Sequence, residues 1–191
     1  MSKLKIVVVF VFLFFLNSNL IYSQYNFGLK SGLNFANVKG NIDEKTKTSV
    51  YLGLYSKIKL NEMFNFQPEI VYSRQGYNLK GISNKLRYNF DYINVPLMFA
   101  FKDLENFHLE FGPQFGLLLK SEIKDNLDLK KVTTNFDFGF NIGANAFVTK
   151  KLFINLRYNL GFININNEDN TDLNIRNSIL SLGVGYDLFK I

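Results

Sequence analysis

The sequence predicts an all-β fold: an eight-stranded antiparallel up-and-down transmembrane β-barrel. Three observations predict it. Eight segments alternate apolar and polar side chains with a period of two, the connections between them alternate short and long, and the glycines and charges gather on the face opposite the apolar one. A period of two belongs to a strand with two chemically different faces, and no stretch between the segments has a helical period.

The chain of 191 residues opens MSKLKIVVVFVFLFFLNSNLIYSQ. Lys3 and Lys5 precede an unbroken apolar run over residues 6–16, and a polar stretch follows, ending Tyr22-Ser23-Gln24. That is the layout of a secretory signal peptide, and the apolar run is too short to span a bilayer. The expected division is a signal peptide over 1–23, cut after Ser23, and a barrel domain over 24–191. The absence of cysteine excludes both a disulfide framework and a lipid-carrying N-terminal Cys. The net charge of +6 is scattered along the chain rather than clustered, so no nucleic-acid partner is expected.

From Gln24 onward the alternation recurs at 26–37, 49–60, 64–76, 93–102, 107–120, 135–148, 152–163 and 179–189. In NFDFGFNIGANAFV, residues 135–148, Phe136, Phe138, Phe140, Ile142, Ala144, Ala146 and Val148 alternate with Asp137, Gly139, Asn141, Gly143 and Asn145. The connections 61–63, 103–106 and 149–151 are short, and 38–48, 77–92, 121–134 and 164–178 are long. In a meander this strict alternation collects the short turns at one end and the long loops at the other. That is the asymmetry of an outer-membrane barrel with periplasmic turns and extracellular loops. An even strand count leaves both termini at the short-turn end.

A soluble barrel would turn its apolar set inward; a membrane barrel inverts this. Three features predict inversion. The apolar sets, from Phe27 through Leu188, contain no Asp, Glu, Lys or Arg, and their exceptions, Ser31, Ser56, Pro68 and Pro113, are uncharged. A central Lys or Arg facing lipid would cost about 2–4 kcal/mol. Ten of the 13 glycines lie on the opposite face, at 28, 32, 53, 112, 116, 139, 143, 161, 183 and 185, as a crowded interior requires. Finally, the charges on that face balance: Lys30, Lys57, Lys59 and Arg157 against Glu69, Glu110, Asp137 and Asp187. Buried charges survive when paired, so a self-neutralising plug is expected near the periplasmic mouth, with Asp187 and Lys30 close across the closing strand pair. Eight strands enclose about enough room for side chains alone, which argues against an aqueous pore.

One segment breaks the alternation. Leu86, Tyr88, Phe90 and Tyr92 are even, whereas Ile93, Val95, Leu97, Phe99 and Phe101 are odd. The expectation is a β-bulge near Tyr92-Ile93 or a strand extension beyond the membrane, with the tyrosines in an interfacial belt.

GLKSGLNFANV at 28–38, FQPEIVYSRQGY at 66–77, YINVPLMFAF at 92–101 and the glycine-punctuated final strands resemble the outer-membrane β-barrel domain proteins of Bacteroidota, of the porin-family or PorT-like type. The resemblance implies a small barrel in the outer membrane of a Gram-negative cell, and a link of some members to protein secretion. Outer-membrane barrels often finish on an aromatic residue, whereas here Lys190 and Ile191 follow Phe189.

Catalytic chemistry is thin. The only histidine, His108, stands two residues from Glu110 on the inner face at the short-turn end, and Ser73 and Ser181 are the serines that could be offered as nucleophiles. Lipid-modifying barrels work at the opposite end, so His108 is expected to be structural and no catalytic residue is assigned. One His and no Cys leave no metal or cofactor set. NNEDNTD at 166–172 lacks the glycine and terminal Glu of a calcium loop and reads as solvated. Binding is expected at the long loops, where Lys80, Lys85 and Arg87 could meet lipopolysaccharide phosphates. The expected protein is a monomer embedded in outer-membrane lipid, with a structural or surface-binding role. Secretion-system proteins are the alternative partners, and an outer-leaflet lipid-modifying enzyme is a further alternative.

Overall fold

The computed structural model describes residues 25–39, 44–80, 85–104, 106–123, 127–128, 134–164 and 175–190. Residues 1–23 and the acidic stretch 166–172 lie outside the described residues. Eight long strands form the wall: β1 (Tyr25–Lys39), β2 (Lys47–Lys59), β3 (Phe64–Gln75), β4 (Lys85–Leu104), β5 (Phe107–Ile123), β6 (Phe136–Phe147), β7 (Leu152–Gly161) and β8 (Arg176–Lys190). Each pairs antiparallel with its sequence neighbour. The β1/β8 pairing, from Asn26↔Lys190 to Lys39↔Arg176, closes the ring and leaves this wall without an edge.

The short turns are built by side chains that bond backbone. Asn61 Oδ1 accepts the amides of Met63 and Phe64 at 2.9 and 2.7 Å, and Thr149 Oγ1 accepts those of Lys151 and Leu152 at 3.2 and 2.9 Å. Below β2, the exposed Glu62 carboxylate receives Lys59 at 2.5 Å, which holds it below the usual carboxylate range. At the long-loop end the sheet continues in short pieces. Glu44–Lys45 pairs with Asn78–Lys80, which pairs with the start of β4, and Leu127–Asp128 pairs with the end of β5.

Polarity is inverted, as the alternation predicts. Leu52, Leu54, Ile70, Ile142 and Val184 are each more than half exposed, while Lys30, Glu69, Glu110 and Arg157 are buried. The charged residue nearest the apolar belt on β3 is Arg74, on the same outward parity as Tyr72. It pairs with Asp91 at 2.9 Å, and Asp91 stands opposite Lys120 on β5. This row of charges marks the upper limit of the apolar belt, leaving residues 64–72 of β3 to cross the hydrocarbon, as a tilted strand of about 9–11 residues does.

Both expected features are present at the parity break: the strand runs on beyond the apolar belt, and its pairing with β5 shifts register at Asp91/Tyr92. β4 extends to Lys85 and alternates without interruption, so Phe90 and Tyr92 point inward and are buried rather than belonging to an interfacial belt. The extra residue sits on the facing strand: Asp91 pairs with Lys120 and Tyr92 with Leu118, so Leu119 is bulged out. The apolar even residues of β4 thus line an apolar upper chamber with Tyr77, Leu118 and Ile175.

All three prolines fall in consecutive strands. The ladder breaks between Tyr55↔Glu69 and Ile58↔Phe66, between Pro68↔Leu97 and Val71↔Asn94, and between Pro96↔Gln114 and Phe99↔Phe111. Each break contains a proline opposite a residue of the preceding strand, Pro68 opposite Ser56, Pro96 opposite Glu69 and Pro113 opposite Leu97, and a proline nitrogen has no hydrogen to give the ladder. Gly112 lets the wall close at the third break, since a Cβ there would stand 2.0 Å from the Leu97 oxygen. Restoring one donor with Pro113→Ala is expected to stabilise the barrel by about 1 kcal/mol, read as a higher temperature for loss of the fast-migrating folded band on a detergent gel. An unchanged or lower temperature contradicts this reading.

Candidate functional site

The interior is filled in levels, and the main charged level is made by alternate strands. Arg157 on β7 forks onto Glu69 of β3 with two bonds of 2.9 Å, and its Nε and Nη2 reach Oε1 of Glu110 on β5 at 2.7 and 2.6 Å. Lys30 of β1 reaches Glu69 at 2.5 Å. Amides complete the shell: Gln67 donates to Glu69 at 2.7 Å, and Asn145 and Asn155 each donate to Glu110 at 2.9 Å. Two cations against two carboxylates, with exposures of 0–7%, make a self-neutral cluster of charge-assisted bonds.

The predicted plug is therefore present, with a different membership. Asp187 does not meet Lys30; it accepts Lys57 at 2.7 Å and the Tyr55 hydroxyl at 2.6 Å. The reason is steric. Tyr55 lies in the space beside Gly28 and Phe153 in the space beside Gly185, where an added Cβ would stand 2.2 and 2.1 Å from the rings. The two rings, 5.9 Å apart, form a shelf between the upper cluster and the Lys57–Asp187 pair. Lys57 also lies over Phe153 at 4.5 Å, a cation–π contact. Lys59 leaves the interior for Glu62 in the turn. Asp137 stands apart in the upper half, where Asn177 donates to it at 2.8 Å.

Above the charge cluster runs a polar ladder. Asn159 donates to Asn141 at 2.9 Å, Asn141 to Gln114 at 3.1 Å, and Asn34 links Ser181 and Ser73 across the closing pair at 2.8 and 2.9 Å. A cavity of about 30 Å³ lies among these groups, room for one or two waters. The Tyr51 hydroxyl, Gln75 Oε1 and Asn159 Oδ1, which lack protein partners, border it. The aromatic chamber closes the top, with Tyr77 stacked on Tyr88 at 4.5 Å.

The residues weighed for catalysis are scattered. His108 faces the short-turn mouth, its ring 4.6 Å from that of Phe147, while Glu110 is committed to Arg157 and two asparagines. Ser73 and Ser181 bond Asn34, at a different level. Among the described residues no group of acidic or histidine side chains is placed to hold a metal. Lys80, Lys85 and Arg87 lie at the long-loop end, where the register sets Asn78 opposite Arg87 and Lys80 opposite Lys85.

These features define an outer-membrane β-barrel: a closed eight-stranded wall, apolar outside, with a self-neutral charge cluster within. The chain belongs to the outer membrane protein beta-barrel domain family, whose model matches residues 17–167. It is accordingly a protein of the outer membrane. No curated protein matches. Among solved structures it is similar to Neisserial surface protein A, with 15% identity, 85% of this chain and 97% of that one covered, and a TM-score of 0.57. It is also similar to Ail, the attachment invasion locus protein of Yersinia pestis, in complex with the heparin analogue sucrose octasulfate; there the identity is 14%, the coverage 87% and 99%, and the TM-score 0.54. At such identity the likeness is one of fold.

Removing one member of the buried cluster leaves the others uncompensated. Arg157→Met is expected to cost about 3–5 kcal/mol, read as loss of the folded, heat-modifiable band or a large drop in its melting temperature. Arg157→Met together with Lys30→Met, Glu69→Met and Glu110→Gln, which removes both cations and both carboxylates, should recover part of that loss, and a single variant as stable as the parent would refute the cluster's role.

Proposed function

We propose that the barrel is a non-enzymatic surface-binding protein whose contact site is the long-loop end. The observation that carries this reading is the interior, filled at the charge cluster, the polar ladder and the aromatic chamber. A barrel so filled acts through what its rigid wall displays rather than through what it passes. At that end Glu44–Lys45, Asn78–Lys80 and the start of β4 form a three-stranded extension. Its register sets Lys45 beside Asn78 and Arg87, and Lys80 beside Lys85, positions that share one parity of the pleat. The register thus gathers four basic positions of one parity, a set that suits a polyanionic partner such as lipopolysaccharide phosphates or a sulfated glycan. The complex of Ail with a heparin analogue supports the same chemistry at an eight-stranded scaffold.

Purified barrel in detergent should bind sucrose octasulfate or lipopolysaccharide in a salt-dependent manner. The quadruple Lys45→Gln, Lys80→Gln, Lys85→Gln, Arg87→Gln variant should lose at least about tenfold in affinity while keeping heat-modifiable migration. Equal binding by the variant would sink the assignment. The narrower PorT-like reading rests on the motifs at 28–38, 66–77 and 92–101, and predicts co-purification with secretion components instead. The leader reading of residues 1–23 belongs to the same proposal: N-terminal sequencing of the membrane-inserted protein should begin at Gln24.

A further inference from the structure

The short-turn end carries two adjoining hollows. One, of about 300 Å³, lies inside the mouth and is bordered by Lys57, Lys102, His108 and Phe147. The other, of about 240 Å³, passes over the 149–151 turn to Lys151, Leu188 and Phe189. They share Asn26, Lys150 and Asp187, so the groove runs from the polar mouth to the lipid-facing wall.

Among the described residues its charge is unbalanced: Asp187 is the only carboxylate of these that borders either hollow, and it is already bonded by Lys57 and Tyr55. Lys102, Lys150 and Lys151 have no carboxylate partner among the described residues, while the carboxylate in the neighbouring turn, Glu62, is held by Lys59. Where the two hollows meet, the side-chain oxygen of Asn26 is buried and has no hydrogen-bond partner. A ligand that fits must bring an oxyanion for the lysines and a hydrogen-bond donor for Asn26. The outer end adds a third demand. Leu188 and Phe189 are 40% and 54% exposed, and the Phe27 ring stands 5.4 Å from that of Phe189, an apolar step beside the cations.

We propose that this groove binds one phospholipid of the periplasmic leaflet. Its phosphate lies against Lys150 and Lys151, with Lys102 as the further cation in the mouth. A headgroup hydroxyl or ammonium donates to Asn26, and the acyl chains run along Leu188, Phe189 and Phe27. Free phosphate, whose remaining hydroxyl can donate to Asn26, would satisfy the first two demands and not the apolar one. A headgroup joined to acyl chains satisfies all of them, and basic pockets at a membrane surface take such groups.

The test is native mass spectrometry of the full barrel released from nanodiscs that contain equal phosphatidylglycerol and phosphatidylcholine, the latter lacking any headgroup donor. One phosphatidylglycerol should be retained per barrel, at least about tenfold over phosphatidylcholine. Lys102→Gln, Lys150→Gln and Lys151→Gln combined should abolish that preference, and Asn26→Leu and Phe189→Ser should each weaken retention several-fold. All these positions lie outside the buried charge cluster, and heat-modifiable migration verifies that each variant folds. Equal retention of the two lipids, or a triple variant that behaves as the parent, overturns the proposal. Displacement of the lipid by inorganic phosphate, with Phe189→Ser silent, would show a free-oxyanion pocket and overturn the lipid as its occupant.

Discussion

A bilayer core offers no hydrogen-bond partner, so every polar group carried into it must be answered from within the protein. Closure of β1 on β8 answers the backbone. The cluster of Lys30, Glu69, Glu110 and Arg157 answers the charges that the inner face carries, and does so from alternate strands, so that it braces the wall from four sides. The three prolines are the exceptions to the first rule. They are confined to β3, β4 and β5, and the wall there holds through side-chain packing and close backbone approach rather than an unbroken ladder.

Space inside the ring is allotted by pairing absence with bulk. Gly28 and Gly185 make room for Tyr55 and Phe153, and the aromatic shelf so formed decides which charges can meet. Gly32 and Gly183 face each other across the closing pair, where the Tyr51 hydroxyl occupies the space beside Gly183. Gly28, Gly183 and Gly185 therefore do more than relieve crowding: each defines where a neighbouring ring lies, whereas Gly112, Gly139 and Gly143 permit close approach of a backbone carbonyl.

The two ends differ in kind. The upper end is sealed by Tyr77, Phe90, Tyr92, Leu118 and Ile175 and continues into sheet extensions, which gives a stiff platform for contacts at the surface. The lower end is open, basic and joined to the apolar wall, which suits the lipid beneath it. A filled middle separates them.

The sequence by itself determined strand number, turn alternation, the inversion of polarity and the existence of a neutral plug. All of these depend on period, spacing and sign, which are local properties of the chain. Only the tertiary structure decided which charges pair, because Lys30 and Glu69 are brought together by strand stagger and kept from Asp187 by rings whose position depends on two distant glycines. It likewise decided that Phe90 and Tyr92 face inward: apolar side chains suit lipid and a sealed chamber equally well, and the register of β4 against a bulge at Leu119 makes the choice.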